Sequence, residues 1–408
     1  MRGPLPFLLA TLFLDAMGIG IVYPVMPDLI GEVRGVGLGA AAIWGGVLAT
    51  AYALMQFLCA PVLGALSDRF GRRPVLLVSL GVMALDYLGS ALAQSIWLLL
   101  GLRLLAGVAA ATQATCYAAL ADVTPPERRA QSFGLLGAAF MGGFILGPVI
   151  GGLLGEIGPR APFWAAAGLA AANLAFGWLS FPETAAAAER PPLTLARANP
   201  FAVMRAVARL RGVLVPLAAL GLLELAYVSY VVVWAFWGQA AFGWSSLETG
   251  LSLAAFGVGA ILAQAWLIRV YLRAFGERGT ILFSLAFTLT FFVVYALMPH
   301  GSVGSWLAIL LCPVSALGEV ALPALQGRIS RLAPAGSQGE ALGVVASVRS
   351  AAQVAGPLLM AGVFAWGARI GDWPLLGAPY MLGAALTLAA LLLFRRAREP
   401  APEPSSAT

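Results

Sequence analysis

The string GALSDRFGRR (residues 64–73) packs Asp68, Arg69, Arg72 and Arg73 into ten positions of a chain that is only 10% charged. It is flanked by two apolar runs, 41–66 and 74–93, whose only charge is Asp86. A run of 20 or more apolar residues is long enough to cross a hydrocarbon core of about 30 Å as a helix. The string therefore reads as the charged turn of a membrane hairpin. Gly64 would let the helices approach closely, Asp68 would pair with arginine or cap the next helix, and Arg72 and Arg73 would hold the turn at one membrane surface.

The same reading extends over the chain. Of its 408 residues 61% are hydrophobic, whereas an ordinary soluble domain is about 25% charged. Twelve apolar segments are expected, at 5–28, 41–66, 74–93, 96–121, 131–155, 161–181, 212–238, 246–271, 279–298, 303–327, 340–365 and 374–394. The first carries Asp15 and lacks a cleavage site, so it reads as a membrane helix, not a signal peptide. All 24 basic residues are arginine. With the N-terminus inside, nineteen of them fall in cytoplasmic segments and only Arg34, Arg160 and Arg369 outside. That bias predicts both termini in the cytoplasm.

The fold class expected is thus an all-α membrane protein of twelve transmembrane helices in two six-helix halves. Residues 1–181 form the first bundle, 182–211 a cytoplasmic linker, 212–394 the second bundle and 395–408 a disordered tail. In the linker, Asn199-Pro200 can start an amphipathic helix on the inner surface. The halves repeat one another. Segment 119–148 aligns with 328–357 at an offset of 209, which sets Gly147-Pro148 on Gly356-Pro357 and Asp15 on Glu224. Parallel repeats of this kind belong to transporters that rock around a central site.

Several classes are excluded. Cys59, Cys116 and Cys312 are not spaced for metal or redox work, and His300 is the only histidine. Neither a metal site nor a nucleophile–base pair is available, so no enzyme and no resident metal are expected. The arginines form no basic domain that would hold nucleic acid.

At 1.5 Å per residue, Asp15, Asp86, Glu224, Arg103 and Arg349 fall at depths of roughly 14–20 Å, one layer near the midplane. Glu319 and Gln56 lie nearer the inner side. Each isolated charge there would cost about 2.5–3.5 kcal/mol, and a scaffold has no use for it. A carboxylate held between burial and a nearby arginine can load and release a proton. We expect Asp15 and Asp86 to be balanced by Arg103, and Glu224 and Glu319 to stand opposite Arg349. Proton coupling is assigned to Asp15, Asp86, Arg103 and Glu224. Substrate contacts are assigned to Gln56, Asp15, Asp86, Glu224, Glu319 and Arg349. Four acids against two arginines suit a cationic cargo. Phe140, Trp234, Phe236 and Trp237 are candidate ring platforms.

Three motifs point to one family. GALSDRFGRR resembles the loop signature of the major facilitator superfamily. The resemblance makes Gly64, Asp68, Arg69, Gly71, Arg72, Arg73 and Asp122 a conformational latch. Arg103 with Gly107 resembles that superfamily's Arg-x-x-x-Gly. GGFILGPVIGG (142–152) resembles its antiporter signature, carried by Gly143, Gly147, Pro148, Gly151 and Gly152. LDAMGIG (14–20), YALMQFLCAPVLGALSDRFGRRPVLL (52–77), GLSLAAFG (250–257) and ALPALQG (321–327) are similar to the tetracycline/proton antiporters of Gram-negative bacteria. This implies a bacterial inner-membrane pump that exchanges a tetracycline–divalent metal chelate for a proton. It has no permanent cofactor, magnesium travels with the drug, and one chain embedded in lipid suffices as a monomer. Two departures stand out. The family's histidine in the eighth segment is replaced by Ala260, and its acid in the ninth is missing. Glu224 meanwhile stands where an amide is expected. The alternatives are a multidrug or other small-solute antiporter of the same fold, or a non-transporting membrane receptor or scaffold.

Overall fold

A computed structural model describes residues 4–185, 212–333, 337–371 and 374–396. Eleven helical stretches among these residues are long and apolar enough to cross a membrane. One of them, Ser246–Ala296, has 51 residues, about 77 Å at helical rise and twice what a bilayer needs. Gly276 breaks it, with φ 63° and ψ −178°. Only glycine adopts that conformation without strain. The stretch is therefore two spans, which makes twelve among the described residues.

We number the spans α1 (Leu5–Arg34), α2 (Leu38–Phe70), α3 (Arg72–Leu92), α4 (Ile96–Val123), α5 (Pro126–Gly155), α6 (Ala161–Ser180), α7 (214–242), α8 (246–275), α9 (277–296), α10 (Ser302–Leu332), α11 (Gln338–Ile370) and α12 (Leu375–Arg396). Helix α12 ends two residues beyond the expected 394. The amphipathic helix expected near 199–211 and the tail beyond Arg396 lie outside the described residues.

Several spans depart from regular α geometry. Helix α1 tightens into a 3₁₀ turn at Tyr23–Val25, where Pro24 offers no donor. Helix α4 breaks at residues 109–111 and α7 at Val233. Helix α10 passes through a 3₁₀ segment, Ala316–Val320, three residues after Pro313. Helix α8 carries a π segment, Ala263–Leu267.

The apolar core is divided unevenly. On the face that carries the termini there are two separate cores. Phe7, Leu12, Leu76, Leu80, Leu120 and Leu136 belong to the first six helices. Leu217, Leu223, Ile281, Leu325, Val344 and Phe394 belong to the last six. Toward the distal face a single core joins both halves, from Ile21, Leu29 and Leu48 to Phe236, Trp237 and Phe364. The hydrogen bonds between halves are distal too. Thr50 Oγ1 donates to the Val354 carbonyl at 3.0 Å, and Leu247 N–H donates to Glu156 Oε1 at 3.1 Å. The molecule is closed on its distal face and parted on its terminal face.

The outer surface is apolar. Trp97, Trp178, Leu179, Trp266, Trp306 and Leu310 are all well exposed. Two shallow apolar grooves of about 710 and 610 Å³ run along α3 and α6, lined by Val78, Leu85, Trp164 and Leu174. Apolar surface this extensive belongs against lipid. The protein is a multi-pass membrane protein.

Candidate functional site: a charged cavity between the halves

A cavity of about 340 Å³ lies between the two halves, within the range of small-molecule sites. From the first half it is lined by Ile19, Tyr23, Tyr52, Gln56, Asp86, Tyr87 and Arg103 among others. From the second half it takes Tyr230, Trp234, Phe236, Gln353 and Pro357. A smaller void continues it toward Phe144, Ser252, Phe256 and Tyr295, sharing Tyr23, Tyr230 and Trp234.

Helix geometry explains how its charges meet. Asp86 stands about 21 Å along α3 from the terminal side, and Arg103 about 10 Å along α4 from the distal side. Both therefore reach one level. Arg103 donates to Asp86 Oδ2 at 2.5 Å, and the Asp86 side chain is 1% exposed. Its other oxygen, Oδ1, is buried without a hydrogen-bond partner. An unsatisfied carboxylate oxygen on a cavity wall is a binding position for a cation or a donor.

In the second half, Glu224 sits about 15 Å along α7 and Arg349 about 16 Å along α11, both counted from the terminal side. Arg349 donates to Glu224 Oε1 at 2.6 Å. Arg349 is half-exposed, whereas Glu224 is buried. Among the described residues, Asp15 and Glu319 form no ion pair, and Glu319 has the Tyr227 hydroxyl as a hydrogen-bonding neighbour. Arg103 thus engages Asp86 alone, and Asp15 stands apart from the pair it was expected to share.

Of the expected substrate contacts, Asp86 and Gln56 line the cavity, as does Arg103. Asp15, Glu224, Glu319 and Arg349 do not. The reason is axial position. On α1, Ile19, Val22 and Met26 face the cavity, and Asp15 continues that stripe one turn toward the terminal face. Arg349 likewise lies one turn below Gln353 and Pro357 on α11. These groups flank the opening where the halves part. Trp234 and Phe236 line the cavity, Trp237 is buried against Tyr380 and Phe242, and Phe140 stacks on Phe144. Sequence reasoning missed Tyr23, Tyr52, Tyr87, Tyr230 and Gln353, which carry no charge to mark them.

The loop between α2 and α3 is tightly held. Arg72 donates to Asp68 Oδ1 at 2.6 Å and to Asp122 Oδ2 at 3.0 Å. Arg73 reaches the Trp178 carbonyl at 2.7 Å. Arg69 is exposed and makes no ion pair among the described residues. Gly71 has φ 109°, and a Cβ there would collide with the Glu183 carboxylate. Glu183, at the end of α6, was not expected. It accepts the backbone N–H of Arg72 at 2.8 Å and of Arg73 at 3.3 Å, so it caps the N-terminus of α3. Gly64 corrects the expectation of close helix approach. Nothing lies within 4 Å of a Cβ built there, because the halves are apart on this face. The second half repeats the device with charges reversed. After Gly276, Glu277 opens α9 and pairs with Arg328 at 3.6 Å and with Arg331, both at the end of α10. Replacing Gly71 by alanine should destabilise the purified protein by about 1–3 kcal/mol, since strain at φ > 0 adds to the clash. A melting temperature equal to wild type would refute this.

The glycines of 142–152 pack backbone on backbone. Gly143 meets the Phe13 carbonyl, Gly147 the Met17 carbonyl and Gly151 the Ile21 carbonyl, which is one face of α5 on α1. Gly152 turns to Ser246 and Leu247 of α8, and Pro148 offers its carbonyl to Gly250. The motif joins the halves as well as two helices of one half.

On the distal face Asp28 fastens the closure. Gln239 Nε2 donates to Asp28 Oδ1 at 2.8 Å and Ser246 Oγ to Oδ2 at 3.3 Å. A charge-assisted hydrogen bond contributes about 1.5–3 kcal/mol. Asp28→Asn should therefore raise distal access to the cavity about tenfold. The measurement is labelling of a cysteine at Ala49, on the cavity wall, by an impermeant thiol reagent after replacement of Cys59, Cys116 and Cys312. Unchanged labelling would rule the fastening out.

Two six-helix halves closed on one face around a charged cavity define a secondary transporter. Residues 8–357 match the profile of the Major Facilitator Superfamily. The class C tetracycline resistance protein of Escherichia coli is 39% identical, with 95% of this chain and 96% of that protein aligned. The class G protein of Vibrio anguillarum is 36% identical over 97% and 98%. Among solved structures, a nucleoside transporter covers 96% of this chain and all of its own, with a TM-score of 0.75 at 13% identity. The human organic anion transporter MFSD10 gives 0.66 at 24% identity, covering 96% and 98%. The chain belongs to the Major Facilitator Superfamily and, within it, to the tetracycline resistance proteins. It is a transporter and not an enzyme.

Proposed function

We propose that the protein is a proton-coupled drug efflux antiporter of the bacterial inner membrane, exporting tetracycline as its divalent-metal chelate. The observation that carries this reading is Asp86, with one carboxylate oxygen on Arg103 and the other free on the wall of a ring-lined cavity. A cationic chelate would take the free oxygen, its fused rings lying along Trp234, Phe236 and Tyr230 and its polar edge on Gln56 and Gln353. Among the described residues no three histidine, cysteine or acidic side chains converge on a metal position. In this reading magnesium enters and leaves with the drug.

Asp15, one turn below the cavity and free of an ion pair, takes the proton. It lies one helical turn from Ile19 of the cavity wall, so its charge is close to where the cargo sits. Arg103 and the Glu224–Arg349 pair set the balance of charge. The halves, 1–181 and 212–394, rock about the cavity, with the 64–73 loop as latch and both termini in the cytoplasm. The parted face then opens to the cytoplasm, where an exporter must collect its cargo. One chain holds both halves and works as a monomer surrounded by lipid.

The test is tetracycline accumulation in inverted membrane vesicles under an imposed pH gradient, with magnesium present. Gradient-driven uptake by wild type that persists unchanged in Asp15→Asn and Asp86→Asn would sink the coupling assignment. Uptake of other drugs but not tetracycline would select the broader antiporter, which Ala260 and the absence of an acid from 279–298 favour.

A further inference from the structure

We propose that Glu319 is the site of a second transported proton, so that the antiporter moves two protons per cargo. The inference rests on the proton-coupled reading above and deepens it. Each half holds one carboxylate matched to one arginine, Asp86 to Arg103 and Glu224 to Arg349. Each half also holds one further acid in the membrane that forms no ion pair, Asp15 in the first and Glu319 in the second. The arrangement is the same in both halves although the residues do not align.

Glu319 lies where the backbone is irregular. It sits in the 3₁₀ segment Ala316–Val320 of α10, packed against the π segment Ala263–Leu267 of α8. Two interrupted helices meeting inside the membrane are the build of ion and proton sites in transporters, and π segments recur at functional positions. A packing or lipid-facing role would not need both interruptions at one level. Next to Glu319, Gly318 lies against Thr288 of α9, whose hydroxyl is 3.3 Å from that of Tyr227. The titratable and charged groups facing Glu319 are Glu224, Tyr227 and Tyr230 from α7 and Arg349 from α11. The π segment of α8 (AQAWL) and Thr288 of α9 carry no charge.

Charge counting completes the argument. Arg349 supplies one positive charge, and its Nε–H is on Glu224. A second carboxylate beside that pair leaves one negative charge in a low-dielectric layer. It is removed when Glu319 binds a proton. Arg349 is half-exposed to the opening between the halves, so water reaches this cluster when the terminal face is parted. Glu319 binds a proton from the distal side and gives it up, as a hydrated proton, on the terminal side. No covalent bond other than O–H changes.

The test uses the full chain reconstituted in liposomes, with the potential clamped by potassium and valinomycin and with tetracycline and magnesium as probe. At static head the drug ratio rises about tenfold per pH unit for one coupled proton and about hundredfold for two. Wild type and Glu319→Asp should show hundredfold, and Glu319→Gln tenfold. A tenfold ratio in wild type, or hundredfold in Glu319→Gln, overturns the proposal. A second readout needs no drug. The carboxylic-acid C=O infrared band of the purified protein should titrate, and part of it should be missing in Glu319→Gln but shifted in Glu319→Asp. No difference between these spectra overturns the proposal as well. If wild type moves no tetracycline while the band behaves as expected, the substrate reading fails and the proton site stands.

Discussion

Asp86→Asn should abolish transport, lowering initial drug uptake at least about hundredfold, and should also destabilise the protein. The substitution keeps size and removes charge, so Arg103 is left unpaired in a layer where no other acid bonds to it. Removing one partner of a buried ion pair costs about 3–5 kcal/mol. Arg103 is 20% exposed on the cavity side, so water offsets part of that, and the lower end of the range applies. A loss of about 2.7 kcal/mol in the transport step already corresponds to hundredfold. The double variant Asp86→Asn with Arg103→Gln should recover stability, because neither charge remains uncompensated, but not transport, because the cation contact is gone. Melting of the purified variants and vesicle uptake separate the two effects. Recovery of uptake in the double variant would show that the pair is only structural.

The sequence makes depth legible and rotation much less so. Lipid demands about 20 apolar residues per crossing, and every crossing is therefore visible, including α8 and α9, which run together as one helical stretch until Gly276 divides them. Depth follows from counting residues, which is why the levels of Asp86 and Arg103 agree when counted from opposite faces, and those of Glu224 and Arg349 when counted from the same face. Partner choice is not a matter of depth. Asp15 has a suitable level yet lies one turn beyond the cavity, and Arg103 serves Asp86 alone. Glu183 was invisible for a related reason. Its role as cap of α3 depends on the end of α6 reaching a helix 111 residues away in sequence. Gly64 illustrates a third limit. Its motif suggests close packing, but packing on that face depends on which conformation the halves adopt.

Gly151→Val should be the most disruptive substitution in the antiporter motif. A Cβ at Gly151 would overlap the Ile21 carbonyl, and the next atoms in its way are also backbone. Overpacking costs about 1–3 kcal/mol when side chains can shift aside; a helix backbone cannot, so α1 and α5 must separate. That contact includes Gly143 and Gly147, and α1 carries both Asp15 and the wall residues Ile19 and Tyr23. The variant should give little folded protein in membranes and a broad profile on size exclusion. Gly64→Val is the matched control, since nothing stands within 4 Å of its Cβ. It should fold and melt like wild type with the terminal face parted. If it nevertheless loses transport, the contact that Gly64 permits must form only when that face closes. A Gly151→Val protein that folds and melts like wild type would mean that the α1–α5 seam is looser than its backbone contacts indicate.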